Sequence, residues 1–503
     1  MIQEKAFEFF WSEASTVNGL IRDRSQSWSA SSIASVGFGL TSICIAADNG
    51  WITRAAARDR VATTLRTFWY GPQGSATTGM FGQFGFFYHF LKMDGSGRDW
   101  TSELSTIDTA LLMAGILDAG AYFDQADPVE AEIRSLADSL YRRANWNLMR
   151  NWAPGLQMQW TPEQGFANAF WSGYNEAMIM NILALGSPTH ATPSLVWDSW
   201  TAPYDMLWQT IYGLTYVTFP PLFGHQYSHC WIDFRSINDA KMKSYGITYF
   251  ENSRRATLAN RLYCMSNPNG YAAYSDSVWG LTACDGPPGR GYLARGAPPG
   301  QNDDGTIAPT AAGGSIPFAP TECIAALRTM YRQYCAGTET RLWGPYGFRD
   351  AFNIQSNWFD TDYIGIDQGP IVIMIENFFT QSVWNRFMKI PCIQAGLSAA
   401  GFTPINTSVG QDPLIPTDVR LDQNYPNPFN PTTTIRFTLP ERMPVRLMVT
   451  DVIGREVARL VDDTIGAGPH SLSFDGTGLS SGVYFCRLEA PRGILVRSML
   501  LVR

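Results

Sequence analysis

Two kinds of helical pattern alternate along the first 400 residues, and no other feature narrows the fold as much. From Thr53 to Tyr70, Ala57, Val61, Leu65 and Phe68 fall on one stripe while Arg58, Asp59 and Arg66 lie elsewhere, with Thr53 as the cap. From Ser105 to Tyr122 the chain ("TALLMAGILDAGAY") is apolar almost all round, so that helix must be surrounded by protein. Asp127 and Pro128 then cap and open another one-sided helix, with Val129, Ile133, Leu136 and Leu140 on its buried side. The stretch from Tyr174 to Leu185 is apolar again and stops at Gly186, with Pro188 close behind. Further helical patterns near 2–14, 32–48, 236–265, 318–335 and 369–389 bring the count towards twelve. Helices enclosed on every side, alternating with helices that keep one wet face, predict a mainly α protein built as a double ring, an (α/α)6 toroid.

Long loops rich in Gly, Pro and aromatics, at 71–100, 218–235 and 285–317, join these helices and predict the walls of a cleft. Aromatic residues make up 13% of the chain and charged residues only 16%, which leaves rings to line a groove for ligands with flat apolar faces, sugars included. A net charge of -7 lacks the basic excess that a nucleic-acid partner demands. The apolar run "IASVGFGLTSICIAA" (33–47) falls short of the ~20 residues a membrane span needs and reads as a buried helix, so no transmembrane segment is expected. Eight cysteines without a CxxC pair suggest neither a zinc cage nor a redox motif. Buried thiols are expected, with Cys264 and Cys284 the candidate bridge if the protein is exported.

Composition changes after Gly401. A polar, Pro-bearing linker spans 403–420 and separates a domain at 1–402 from one at 421–503. In the second, Ile435, Phe437 and Leu439 form one face and Val445, Leu447 and Val449 the next, with Gly-bearing turns separating about seven short strands. The pattern predicts a small immunoglobulin-like β-sandwich. Its segments "NYPNPFNPTTTIRFTLP", "VTDVIGREVARL", "GPHSLSFDGTGLSSGVYFCRLEA" and "SMLLVR" resemble the C-terminal sorting domain of type IX secretion cargo. That resemblance implies delivery to the exterior or surface of a bacterium by the type IX machinery. The opening residues "MIQEKAFEFFWSEAS" show no signal-peptide pattern, so a removed leader or a truncated start is expected.

Acids recur among Gly and aromatics throughout the first domain: Glu103, Asp108, Glu176, Asp233, Asp304 and Asp367. Glu176 stands out, because Trp171, Tyr174, Met178, Ile179 and Met180 surround it in sequence with no Lys or Arg among them. A carboxyl buried without a cation raises its pKa and keeps its proton. Alternatively it projects to solvent from the start of a helix, where a negative charge suits the dipole. A protonated acid paired with an ionised carboxylate, among rings that hold sugars, is what glycoside hydrolysis requires.

The segments "GLIRDRS", "STIDTALLMAG", "WSGYNEAMIMNILALGSPTH", "YSHCWIDFR", "GYLARGAPPGQNDDGTIAPTAAGGSIPFAP", "LWGPYGFRDAFN" and "YIGIDQGPIVIMIEN" resemble the glycoamylase-like family, above all its bacterial β-1,2-glucanases, through about residues 4–402. The resemblance implies an (α/α)6 toroid that hydrolyses β-1,2-glucan with inversion, either within the chain or by releasing short oligosaccharides. Glu176 is the candidate general acid, with Asp108 and Glu103 the candidates for activating water or holding the sugar. Candidate sugar contacts are Trp171, Tyr174, His229, Trp231, Asp233, Arg235, Asp304, Trp343, Tyr346, Phe348 and Asp367. Plainer roles stand beside several of these: an ion pair for Asp233 with Arg235, a turn for Asp304, and a cap for Asp367 before a helix opening at Gly369 and Pro370. Arg349 and Asp350 read as structural. No metal or cofactor is expected, because His225 and His229 lack a helical frame and a third ligand. An α-glucan hydrolase of the glucoamylase kind and a non-catalytic glycan-binding surface protein are the alternatives.

Overall fold

The computed structural model describes residues 1–298, 302–335, 341–405, 419–424, 426–451, 454–466, 468–491 and 493–502. The chain divides into two compact units, Met1–Ile405 and Asn406–Arg503. Most of the linker expected at 403–420 lies outside the described residues.

The first unit is helical, and its helices sort by how far they are enclosed. Ile33–Asp48 and Thr106–Tyr122 are buried along nearly every face, as are Met178–Gly186, Pro309–Gly313 and most of Gly365–Phe379. These five touch in succession: Ile33–Asp48 packs on both Thr106–Tyr122 and Gly365–Phe379, Thr106–Tyr122 on Met178–Gly186, and Gly365–Phe379 on Pro309–Gly313. Helices with one buried stripe lie outside them. Arg54–Tyr70 buries Ala57, Val61, Leu65 and Phe68 and is capped by the Thr53 side chain. Pro128–Arg143 buries Ile133, Leu136 and Leu140, and Asp127 caps it by accepting from the N–H groups of Val129 and Glu130. No helix of the described residues is long and apolar enough to cross a membrane.

Three helical expectations change at residues that break helices. The 236–265 pattern is two helices, Ala240–Tyr245 and Tyr249–Ser266, because Gly246 adopts φ +71° and ends the first. The 369–389 pattern begins earlier, at Gly365, and stops at Phe379. A new helix, Ser382–Phe387, follows Gln381 at φ +59°. The 174–185 pattern starts as helix only at Met178, because Gly173 takes φ +78° and the Asn175 side chain accepts the Ala177 N–H. All eight cysteines are free thiols, so Cys264 and Cys284 are not bridged.

The second unit is all β. Its strands are β1 (Arg420–Leu421), β2 (Thr432–Leu439), β3 (Met443–Thr450), β4 (Glu456–Ile465), β5 (Gly468–Asp475), β6 (Gly482–Ala490) and β7 (Gly493–Leu501). They form two antiparallel sheets, ordered β1-β2-β5 and β4-β3-β6-β7. Alternate residues of both sheets, Ile435, Phe437 and Leu439 with Val445, Leu447, Val449 and Leu488, enclose one apolar core. Phe429 is buried in that core, and the Asn424 amide donates to Thr433 Oγ1 at 2.9 Å.

The two central helices of the first unit approach closely through glycine. A Cβ on Gly115 would lie 2.0 Å from the Gly37 carbonyl oxygen, and one on Gly37 would lie 2.2 Å from the Leu111 carbonyl oxygen. Backbone cannot yield there without parting the helices. Gly115→Ala is therefore expected to cost about 3 kcal/mol, the upper end of ordinary overpacking, read as a lowered Tm of the helical unit. A Tm within a degree or so of the parent would contradict this crossing.

Candidate active site

The enclosed helices are stitched together at their N-terminal ends. The N–H of Ile33 donates to the His89 carbonyl, and the N–H of His89 donates to the Glu103 carbonyl just ahead of the Thr106–Tyr122 helix. Trp171 Nε1 donates to Thr106 Oγ1 at 3.0 Å, tying that helix start to the turn that carries Glu176. Ser228 Oγ donates to the Glu176 carbonyl at 3.1 Å and accepts from the Ile179 N–H at 3.0 Å. The Gly365 N–H donates to the Asp23 carbonyl, and Thr310 Oγ1 donates to the Asp367 carbonyl at 2.7 Å. One rim thus joins the starts of five helices, where exposed N–H groups and aligned dipoles favour negative groups. Asp23, Glu103, Asp108, Glu176 and Asp367 all stand on it.

Glu176 lies in the turn ahead of the Met178–Gly186 helix, not within it. Its Oε2 is enclosed and accepts no hydrogen bond. Burial pushes its carboxyl up to about 7, and the nearby charge of Asp108 adds to the rise. Asp108 accepts from the Ser105 hydroxyl, and Ser105 is the N-cap of its helix. His89 bridges two acids: Nδ1 lies 2.9 Å from Glu103 Oε1, and Nε2 lies 3.6 Å from Asp108 Oδ2. Burial alone would lower the imidazole, but Asp108, Glu103 and Asp23 outweigh it and push it up to about 9. At neutral pH His89 is therefore a cation between carboxylates.

A second acidic group adjoins the first. Arg24 Nη1 reaches Asp285 Oδ2 at 2.8 Å and Asp362 Oδ2 at 3.4 Å, while its Nε reaches Asp23 at 3.5 Å. Asp367 is buried in the first turn of the Gly365–Phe379 helix, with Oδ2 enclosed and unpartnered. Burial pushes it up to about 7. Burial raises the Tyr227 hydroxyl, and the charges of Asp367, Glu176 and Asp108 all add to the rise. Tyr292 feels the charge of Asp367 and keeps 41% of its surface open.

Among the described residues two triads could offer oxygen or nitrogen to a metal, His89 with Glu103 and Asp108, and Asp285 with Asp350 and Asp360. In the first, the protonated His89 is a donor and would have to lose its proton to ligate. His225 and His229 are buried apart from both triads, and burial lowers each to about 3. A cavity of 1130 Å³ opens at the other end of the helices, lined by Leu117, Tyr122, Leu185, Arg54 and Arg386. Two of its guanidiniums are already paired, Arg54 with Glu130 and Arg386 with Asp118.

Of the residues the sequence nominated, Glu176, Asp108, Glu103, Trp171 and Asp367 share the rim. Asp367 does not cap a helix opening at Gly369. That helix starts at Gly365, with Ile364 as its N-cap. Four candidate sugar contacts, Tyr174, His229, Trp231 and Phe348, are corrected, because each is buried in protein; Trp343, Tyr346, Asp304, Asp233 and Arg235 keep some open surface but have protein partners of their own. Tyr174 is buried, with its hydroxyl 3.1 Å from Ser253 Oγ, which in turn lies 3.1 Å from His229 Nε2. Trp231 is fully enclosed and donates to Thr41. Phe348 is buried against Trp343 and Tyr331, Trp343 packs on both, and the Tyr346 hydroxyl donates to Glu13 at 2.7 Å. Asp304 is held by a two-pronged bond from Arg295 at 2.8 and 2.9 Å. Asp233 and Arg235 form their own ion pair at 2.7 Å beside Gln381, beyond the C-terminal end of the Gly365–Phe379 helix and so opposite the rim. His89, Asp23, Arg24, Asp285, Tyr227 and Tyr292 went unnominated, although "GLIRDRS" holds two of them.

Residues 168–391 match the Glycoamylase family model, described as "Putative glucoamylase". Residues 423–501 match the secretion system C-terminal sorting domain. A Bacteroides uniformis protein of the same glucoamylase description, known from its crystal structure, is 34% identical, with a TM-score of 0.73 over 80% of this chain and 96% of its own. The chain belongs to the glycoamylase family. An endo-beta-1,2-glucanase from Chitinophaga pinensis, solved with sophorotriose and glucose, is 29% identical with a TM-score of 0.72, covering 80% of this chain and 97% of its own. The exo beta-1,2-glucooligosaccharide sophorohydrolase (non-reducing end) of Parabacteroides distasonis is 30% identical over 426 residues. The match covers 79% of this chain and 57% of that relative, so the chain spans little more than half its length.

The bridging imidazolium makes a testable contribution to stability. His89 ionises near 9 in the folded chain against 6.5 when free, so the folded state binds the extra proton between those values. Its contribution is complete below about 6.5 and is lost as pH rises through about 9. Tm measured from pH 6 to 10 should fall across that window, and His89→Asn should flatten the fall. An unchanged slope in the variant would show that the His89 proton does not stabilise the fold.

Proposed function

We propose that this chain is a glycoside hydrolase that cleaves β-1,2-glucan into shorter β-1,2-gluco-oligosaccharides with inversion. In this reading the first unit closes as an (α/α)6 toroid, the second is an immunoglobulin-like sandwich, and type IX secretion delivers the protein outside the cell or to its surface. The observation that carries the chemistry is Glu176: a carboxyl among apolar groups, with one oxygen orphaned, keeps its proton near neutrality. The β-1,2 linkage is supported by the activities of the Chitinophaga and Parabacteroides relatives.

Inversion needs a second carboxylate to take a proton from water. Asp108, the sequence's nominee, is engaged by Ser105 and His89. It suits holding the sugar beside Glu176. Asp367 suits the base better. Burial gives it basicity near neutral pH, and its Oδ1 has no hydrogen bond from any described residue and is not among the enclosed atoms. In one turnover the water oxygen bonds to the anomeric carbon, its proton passes to Asp367, the glycosidic bond breaks, and the departing oxygen takes the Glu176 proton. Exchange with solvent then restores both groups.

Activity should follow a narrow bell centred near pH 7, because Glu176 must be protonated and Asp367 ionised. Glu176→Gln should lower the release of new reducing ends from β-1,2-glucan on the order of 10³-fold, and Asp367→Asn comparably. Asp108→Asn should move the alkaline limb to lower pH, since the charge that helps to hold the Glu176 proton is gone. Full turnover by Glu176→Gln, or glucan binding with no cleavage by the parent, would reject the hydrolase. Retained rate in Asp367→Asn with loss in Asp108→Asn would return the base to Asp108.

A further inference from the structure

We propose that Asp350 is a positioning residue: it shares one proton with Asp367, and its O–H group anchors Asp367 so that the remaining oxygen, Oδ1, faces the cleft. The role of Asp367 as base rests on the proposed hydrolysis, whereas the shared proton does not.

The geometry leaves little choice. Asp350 Oδ1 and Asp367 Oδ2 are both enclosed, and neither receives an N–H or O–H from any described residue. The two side chains are nevertheless within hydrogen-bonding reach of one another. Two ionised carboxylates in contact, with no donor between them, repel in a medium that screens poorly. A single proton removes one charge and satisfies both orphaned oxygens at once.

Local contacts decide where the proton sits. Asp350 Oδ2 accepts the Asp285 N–H at 2.8 Å, which fixes the carboxyl plane and leaves Oδ1 as the hydroxyl oxygen. The Asp350 N–H donates to the Asp362 carbonyl at 3.0 Å, so the backbone is held as well. Burial and the charges of Asp367, Asp360 and Asp285 all push Asp350 upward. Arg24 is a cation whose charge reaches Asp367, and Asp285, Asp362 and Asp23 engage it. Tyr227, Tyr292 and Cys284 also feel the charge of Asp367, and each is raised, so they add no charge at neutral pH.

Substitution separates this role from packing. In Asp350→Asn the Asp285 N–H holds the amide oxygen where a carboxyl oxygen was, turning the NH2 group toward Asp367 as a substitute donor. Asp350→Ala has none. On β-1,2-glucan, Asp350→Asn should lose less than about tenfold in kcat and keep the acid limb in place. Asp350→Ala should lose about 10- to 100-fold in kcat with little change in KM, and its acid limb should move to higher pH as Asp367 loses its donor. Infrared difference spectra supply a readout independent of activity. At pH 9, above the Glu176 ionisation, the parent should retain the carbonyl stretch of a protonated carboxylic acid, and Asp350→Asn should lack it.

Absence of that band in the parent, or its persistence in Asp350→Asn, overturns the shared proton. An Asp350→Ala variant with the parent's acid limb overturns the positioning role. If the parent cleaves no β-1,2-glucan, the proposed hydrolysis fails while the band still decides the shared proton. If Asp350→Ala does not fold, Asp350→Asn and the spectra suffice.

Discussion

Burial of carboxyls at the N-terminal ends of fully enclosed helices is the constraint on which the rest of the site depends. A helix start offers unpaired N–H groups and a positive dipole end. An interior position removes water and raises the cost of charge. Where the two meet, acids can be tolerated in number, and each settles into a different state. Glu176 has no donor for Oε2 and keeps its proton. Glu103 and Asp108 have an imidazolium between them. Asp285 and Asp362 have Arg24. One rim therefore holds two carboxyls raised towards neutrality, Glu176 and Asp367, beside anions fixed by cations.

The enclosed helices make this possible because they approach so closely. Glycines at the crossing of Ile33–Asp48 with Thr106–Tyr122 let the backbones meet, and that contact draws the helix starts together. Short hydrogen-bonded bridges, from Ile33 to His89 to Glu103 and from Trp171 to Thr106, then hold the loops that carry the acids. Rigid placement of this kind is what proton transfer between heavy atoms near 3 Å demands.

Much of the helical unit was legible because enclosure leaves a mark in composition: a helix with no wet face has no polar stripe. Boundaries were less legible where one residue with positive φ, Gly246 or Gln381, divides an otherwise continuous pattern. In the site, Glu176 could be read from its neighbours, since an acid among rings without a nearby cation is unusual. Tyr174, Trp231, His229 and Phe348 could not, because sequence does not say whether a ring faces the cleft or the core. His89, Arg24 and Asp285 acquire their roles only through distant partners. The Arg24–Asp285 pair spans 261 residues, beyond any local pattern. Asp350 read as structural for the same reason: its partner at 367 becomes visible only when both orphaned oxygens are seen together.

Everything in the proposed chemistry turns on Glu176 storing a proton near neutral pH without help from substrate. Its titration can be followed directly in the intact protein by the side-chain carbonyl resonance of labelled glutamate, assigned by the signal missing from Glu176→Gln. A midpoint near 7 is expected, set by burial and by Asp108. A midpoint near the ordinary glutamate value of about 4.3 would show an ionised, solvated carboxylate and contradict it.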